Sequence, residues 1–194
     1  MQLGPYLLGP NDTPENGIYI GDALNLIKQI PDWSIDLILT DPPYDFDATL
    51  RKKFQQEFLR VSKYGVIVFC PPENPWQIPA DQYLFWIKPI STKNTSKKYS
   101  RFVEEILIFG NLKWNHDGHW SQYTNVFTDL VVGRSDHPYE KPKSLIERLI
   151  RNHSEQGDII LDPFCGSGTI LLVCKEMNRR YLAFELDEKQ LTLF

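Results

Sequence analysis

Apolar positions along this chain follow two rhythms. Short runs rich in Ile, Leu, Val and Phe occur at residues 18–20, 36–40, 65–70, 82–87, 103–109, 158–162 and 181–185, each of a length that suits a buried strand. Segments with apolar residues at helical spacing lie between them, at 23–30, 48–62, 143–153 and 169–177. Leu145, Ile146, Leu149 and Ile150 share one side of the third, and Leu171, Leu172 and Cys174 give the fourth an apolar side. Strands alternating with helices in this way predict an α/β chain built around a parallel sheet.

Two stretches fit neither rhythm. Residues 71–79 form a proline-rich connection. Residues 111–137 are rich in Asn, Gly, His and aromatics and read as a long irregular insertion; such loops in compact domains are usually functional or disordered. The side chains of Trp114, Trp120, Tyr123 and Phe127 argue against disorder. At 194 residues with no internal repeat, the chain is expected to be a single domain, 1–194, with 88–101 and 111–137 as its recognition loops.

Composition narrows the function classes. Apolar content of 42% is that of a globular protein, no run is apolar enough to span a bilayer, and no secretory signal opens the chain, so a cytoplasmic location, in a bacterial or virus-infected cell, is expected. The three cysteines, Cys70, Cys165 and Cys174, are far apart without a CxxC pair, which argues against a disulfide framework and a zinc site. His116 and His119 have ligand-like spacing but no third ligand nearby, so no metal is expected. A net charge of −4 does not announce a nucleic-acid binder. Its distribution says more: Lys88, Lys93, Lys97, Lys98 and Arg101 follow one another without an acid, and Arg51, Lys52, Lys53, Arg60 and Lys63 cluster in a helical segment. Local basic faces on an acidic protein are enough to meet phosphates.

The chemistry lies in two motifs. The strand at 36–40 runs directly into Asp41-Pro42-Pro43-Tyr44. Prolines alone could stop a strand, since they lack the N–H and fix φ; the acid and the ring need another reason. The strand at 158–162 runs into Gly166-Ser167-Gly168-Thr169 and a helix, and the next strand ends in Glu185. Glycines let backbone approach a ligand, the helix N-terminus offers free N–H groups, and an acid after the second strand is where a ribose hydroxyl is held. Leu171 replaces the third glycine of the dinucleotide fingerprint, which fits a nucleoside without a pyrophosphate better than a dinucleotide.

Together, "LDPFCGSGT", "AFELD" and "DPPY" resemble the signatures of amino-group DNA methyltransferases, and "HPYEKP" and "IYIGDAL" are similar to two further signatures of that family. The order, with DPPY ahead of the cofactor motif and the insertion between them, is that of the permuted β group. The resemblance implies a Rossmann-like S-adenosylmethionine-dependent methyltransferase fold: a mixed seven-stranded sheet with helices on both faces and a small target-recognition insertion. It implies S-adenosylmethionine as cofactor, held by Asp22, Lys141, Ser144, Asp162, Phe164, Gly166, Ser167, Gly168, Thr169 and Glu185. Glu185 is expected at the ribose hydroxyls, Asp22 at the adenine amine, and Lys141 and Ser144 near the methionine end. The partner implied is double-stranded DNA, with a homodimer as a way to extend the interface. Lys93, Lys97, Lys98 and Arg101 are assigned to phosphates, and Asn115, His116, Gln122 and Asn125 to base edges.

These assignments suit the reaction. An exocyclic amine is a poor nucleophile because its lone pair is delocalised into the ring. Acceptors at Asp41 and the Pro42 carbonyl, stiffened by Pro43, favour the pyramidal amine that frees the pair. The base must flip out of the duplex to be reached, and Tyr44 is its expected stacking partner. An aspartate-led tetrapeptide resembles that of adenine-N6 enzymes. Cytosine-N4 methylation stays open, because both amines satisfy the same acceptors, as does a silent DNA-binding subunit or an RNA methyltransferase. Asp45 and Asp47 have no place in the signature.

Overall fold

Side-chain alternation along the strands sends apolar residues to both faces of one sheet, so helices are needed on both sides. The computed structural model describes residues 15–72, 76, 79–88, 102–115, 118–130 and 141–191. In chain order the elements are β1 (Gly17–Ile20), α1 (Ala23–Ile27), β2 (Ile35–Thr40), α2 (Ala48–Val61), β3 (Ser62–Cys70), β4 (Gln82–Ile87), β5 (Val103–Gly110), β6 (Val126–Phe127), α3 (Lys143–His153), β7 (Ile159–Asp162), α4 (Thr169–Glu176) and β8 (Arg180–Glu185). On one face Leu37, Leu39, Ile67, Phe69 and Ile160 pack in a core with Leu145, Leu149, Leu171 and Cys174 of α3 and α4. On the other, Ile38, Val66, Val68, Leu161 and Phe184 pack with Leu26 and Ile27 of α1 and Phe54 and Phe58 of α2.

All seven strands expected from the sequence form, and with an eighth, β6, they lie in the order β1-β8-β7-β2-β3-β5-β4-β6, so the described sheet has eight strands where seven are expected. The pairs β1–β8, β8–β7, β7–β2 and β2–β3 are parallel, whereas β5 runs antiparallel to β3 and to β4. The eighth strand, β6, corrects the reading of 111–137 as wholly irregular. It pairs parallel to β4, Phe85 with Val126 and Trp86 with Phe127, and a 3₁₀ turn at Trp120–Tyr123 precedes it. Two residues are too few to show a period in the sequence. Helix α1 also ends three residues earlier than expected. Gln29 and Ile30 donate to Leu26 and Ile27 in tight turns, and Pro31 blocks a further helical turn.

The site is placed by a reversal in this order. From β7 the chain passes through α4 to β8 on one flank; from β2 it passes through α2 to β3 on the other. The carboxyl ends of β2 and β7 therefore border an open crevice, the usual ligand position in such sheets. Thr40, the last residue of β2, donates from Oγ1 to Asp162 Oδ1 of β7 at 2.7 Å, and both side chains are buried. Replacing Thr40 by Val keeps the volume but strips Asp162 of this donor. Asp162 Oδ1 keeps its bond from Phe164 N–H at 3.2 Å, so chemical denaturation of Thr40→Val is expected to show a loss of about 1 kcal/mol, the scale of one hydrogen bond.

Candidate active site

The turn after β2 carries Asp41 and Tyr44 into a buried charge cluster. Lys141, just ahead of α3 and only 8% exposed, bonds Asp41 Oδ2, lies 2.9 Å from Glu104 Oε1 and donates to the Tyr44 hydroxyl oxygen at 3.3 Å. All three ammonium hydrogens thus have acceptors. Glu104, only 2% exposed on β5, also receives the Tyr44 hydroxyl at 2.5 Å on Oε1 and pairs with Lys88 through Oε2. The Tyr44 hydroxyl is 3.1 Å from Asp41 Oδ1, so its single proton is better placed on Glu104. Burial pushes Asp41 above the usual carboxylate range, against the pull of Lys141, and the charge of Glu104 adds to the rise. For Glu104 burial acts the same way, but Lys141 and Lys88 outweigh it and hold its carboxyl below its usual range.

The second motif forms the neighbouring wall. Gly166 and Gly168 both have positive φ, 50° and 94°, and fold the chain back so that Gly168 N–H reaches the Cys165 carbonyl at 2.8 Å. Glu185, at the end of β8, accepts from Gly166 N–H at 2.9 Å, Leu186 N–H at 2.8 Å and Asp187 N–H at 3.1 Å. A β-carbon built on Gly166 would meet nothing within 4 Å, so this turn borders open space. Phe164 stands edge-on to Phe46 and Phe54, 5.5 and 5.0 Å between ring centres, and gives the wall an apolar surface. Between the two motifs lies a cavity of about 1160 Å³.

Of the residues expected in the site, Asp22, Asp41, Pro42, Pro43, Tyr44, Lys141, Phe164, Gly166 and Glu185 line this cavity. Asp162 and Thr169 are buried behind it, and Ser167 and Gly168 belong to the turn that shapes it. Asp22 also caps α1, accepting from Asn25 N–H at 2.9 Å. Ser144 points elsewhere: its hydroxyl donates to Asp129 at 2.8 Å, because Asp129 is held beside α3 by Arg148. Lys141 is drawn onto Asp41 and Glu104, the charges nearest to it. Asn115 is not free to read bases with its amide hydrogens. Both go to the carbonyls of Arg151 and Ser154, tying the insertion to the end of α3. Gln122 is half-buried and its carbonyl accepts from Asn152, while the exposed Asn125 gives its carbonyl to Phe85 N–H. Lys93, Lys97, Lys98, Arg101 and His116 lie outside the described residues. Asp47 finds its reason as the cap of α2, accepting from Leu50 N–H at 2.7 Å.

Glu104 was the residue that sequence reasoning missed. Its signal is a single acid facing inward from an apolar strand, paired in position with Trp86 of β4. Lys88, read as one member of a basic run, is committed to Glu104.

Residues 80–194 match the DNA methylase family of the N6/N4 type. The chain belongs to this family. It is 25% identical to the Type II methyltransferase M.HpaI of Haemophilus parainfluenzae, over 89% of this chain and 70% of that one. Among solved structures, the M1.HpyAVI–SAM complex has 25% identity and a TM-score of 0.70, covering 89% of this chain and 94% of that one. The PvuII DNA methyltransferase (cytosine-N4-specific) shares the fold, with a TM-score of 0.73 at 18% identity over 92% of this chain and 84% of that one. The protein is an S-adenosylmethionine-dependent DNA methyltransferase on a Rossmann-like mixed sheet. Among the described residues no helix is long and apolar enough to cross a membrane, and no cluster of His, Cys, Asp and Glu could hold a metal.

The donor set fits that cofactor. Glu185 offers an acceptor at the carboxyl end of β8, Phe164 a flat apolar wall, and Gly166 an unobstructed backbone. Three of the roughly four acceptor positions of Glu185 serve backbone N–H groups, leaving one on Oε2, so it suits a single ribose hydroxyl better than a bidentate contact. S-adenosylmethionine, when bound, supplies an electrophilic methyl group on a sulfonium sulfur.

Asp162 leaves a measurable trace. Burial raises its pKa to about 7, against the bonds from Thr40 and the Phe164 N–H. In the unfolded chain it ionises near its ordinary value of 3.8. The folded state therefore binds the extra proton, and stability falls as pH rises from about 4 to about 7. Asp162→Asn should remove this contribution. Denaturation midpoints measured across that window should decline with pH more steeply for the wild type than for the variant.

Proposed function

We propose that the protein transfers a methyl group to the N6 amine of an adenine flipped out of double-stranded DNA. The observation that carries this reading is that Asp41 and Pro42 line the same cavity as Gly166 and Glu185. The target amine is then presented on one side and the methyl donor on the other, so the reaction becomes one of alignment. Asp41 Oδ1 keeps acceptor capacity once the Tyr44 proton lies on Glu104, and with the Pro42 carbonyl it receives the amine hydrogens. The Tyr44 ring, braced through its hydroxyl, offers a face on which the flipped base stacks. The aspartate leading the tetrapeptide favours adenine over cytosine by its resemblance to adenine-directed members of the family.

Contacts with DNA are assigned to the two segments that flank β5 in the chain. Lys93, Lys97, Lys98 and Arg101 take phosphates, and Gln122 and Asn125 take base edges beside Trp120, which is 72% exposed. These two loops, 88–101 and 111–137, are short in sequence for a recognition surface, which favours a short target or two copies of the chain acting on one duplex.

Three outcomes test the proposal. Asp41→Ala should keep cofactor affinity and lose nearly all methyl transfer, and nucleosides from DNA treated with the wild type should contain N6-methyl-2′-deoxyadenosine. N4-methyl-2′-deoxycytidine in that digest would move the target to cytosine. Glu185→Ala should weaken S-adenosylmethionine binding about tenfold to a hundredfold by calorimetry, as loss of one charge-assisted hydrogen bond of roughly 1.5–3 kcal/mol requires.

A further inference from the structure

We infer that Glu104 is a positioning residue for methyl transfer: it fixes Tyr44 and Lys141 around Asp41 so that one carboxylate oxygen of Asp41 is left to face the target amine. Glu104 projects from β5, on the far side of β3 from the DPPY turn, and its burial in an apolar strand has no use in stability that a hydrophobic residue could not serve better. Its geometry gives it another use. Oε1 accepts both the Tyr44 hydroxyl at 2.5 Å and the Lys141 ammonium at 2.9 Å, while Oε2 is held by Lys88 from the end of β4.

Each contact has a consequence at Asp41. With the Tyr44 proton on Glu104, Asp41 Oδ1 loses no acceptor capacity to the hydroxyl 3.1 Å away. With Lys141 shared between the two acids, only Oδ2 of Asp41 is engaged by the ammonium. The phenol ring is meanwhile held at its far end, so its face is set before a base arrives. The cluster carries two acids and two ammonium groups, and so is neutral when both acids are ionised. Among the described residues, the groups that face Asp41 are Tyr44 on its own turn, Lys141 ahead of α3, Glu104 on β5 and Asp162 on β7. The negative charge of Glu104 contributes to the raised pKa of Asp41, so its removal should ease the ionisation of Asp41.

The inference rests on Asp41 as the acceptor for the amine, and the test separates the two. Glu104→Gln keeps shape but removes the charge and loosens Lys141. It should lower kcat roughly tenfold, the scale of one hydrogen bond to a charged group. Cofactor affinity should not change, and the acid limb of the kcat–pH profile should move to lower pH. Tyr44→Phe keeps the ring and removes the bond to Glu104; it should lower kcat by a similar factor with KM for DNA retained. Combined, the two substitutions should cost clearly less than the product of the single effects, because they break one contact. Folded Glu104→Gln enzyme with wild-type kcat and acid limb would overturn the inference, as would two effects that multiply in full. If Glu104→Gln does not fold, Tyr44→Phe decides alone, and wild-type kcat in that variant is the refuting result. Wild-type-like turnover in Asp41→Ala would instead overturn the reading of Asp41; an inactive Asp41→Ala beside an unaffected Glu104→Gln refutes only the role of Glu104.

Discussion

Thr40 and Asp162 stand 122 residues apart in the chain, yet a buried 2.7 Å hydrogen bond joins them at the adjacent ends of β2 and β7. The site depends on that adjacency. The sheet reverses its direction of growth between these two strands, so no helix covers their carboxyl ends and a crevice opens there. One motif follows β2 and the other follows β7, and each is held by backbone that the sheet has already fixed. The turn that carries Asp41 and the turn that carries Gly166 thus line one cavity.

Burial imposes a second constraint on the same place. Carboxylates taken out of water must be paired or protonated, and the site shows both solutions. Asp41 and Glu104 share Lys141 and draw in Lys88, while Asp162, bonded to Thr40 and the Phe164 N–H, meets burial by holding its proton to about pH 7. Glu185 follows a third course: it is stabilised by backbone N–H groups from its own turn and from Gly166, and so ties the cofactor turn to the end of β8.

Much of this was legible before any coordinates. Apolar runs located all seven principal strands, because a strand buried on both faces needs continuous hydrophobic sequence. Gln82–Ile87 and Lys143–His153 agree to the residue. The motifs gave most of the cavity lining, since DPPY and GSG sit at strand ends where position is set locally. What escaped depends on contacts between distant segments. Glu104 gains its meaning from Tyr44, Lys88 and Lys141, 60, 16 and 37 positions away in the chain, and an acid in a strand carries no such label. Asn115 resembles a base reader in composition, whereas its partners at the end of α3 and just beyond it are 36 and 39 residues on. Strand β6 is made by pairing with β4 and has no period of its own.

The central claim is that the DPPY turn and the cofactor turn present base and methyl donor to each other across one cavity. A crystal structure of the protein with a non-transferring cofactor analogue and a duplex holding a mismatched adenine at the target position tests it most directly. The account predicts the adenine turned out of the duplex, its amine within hydrogen-bond distance of Asp41 Oδ1 and the Pro42 carbonyl, its face against Tyr44, and the cofactor ribose at Glu185. An adenine seated away from Asp41, or a cofactor lying outside the turn at Gly166, would contradict it.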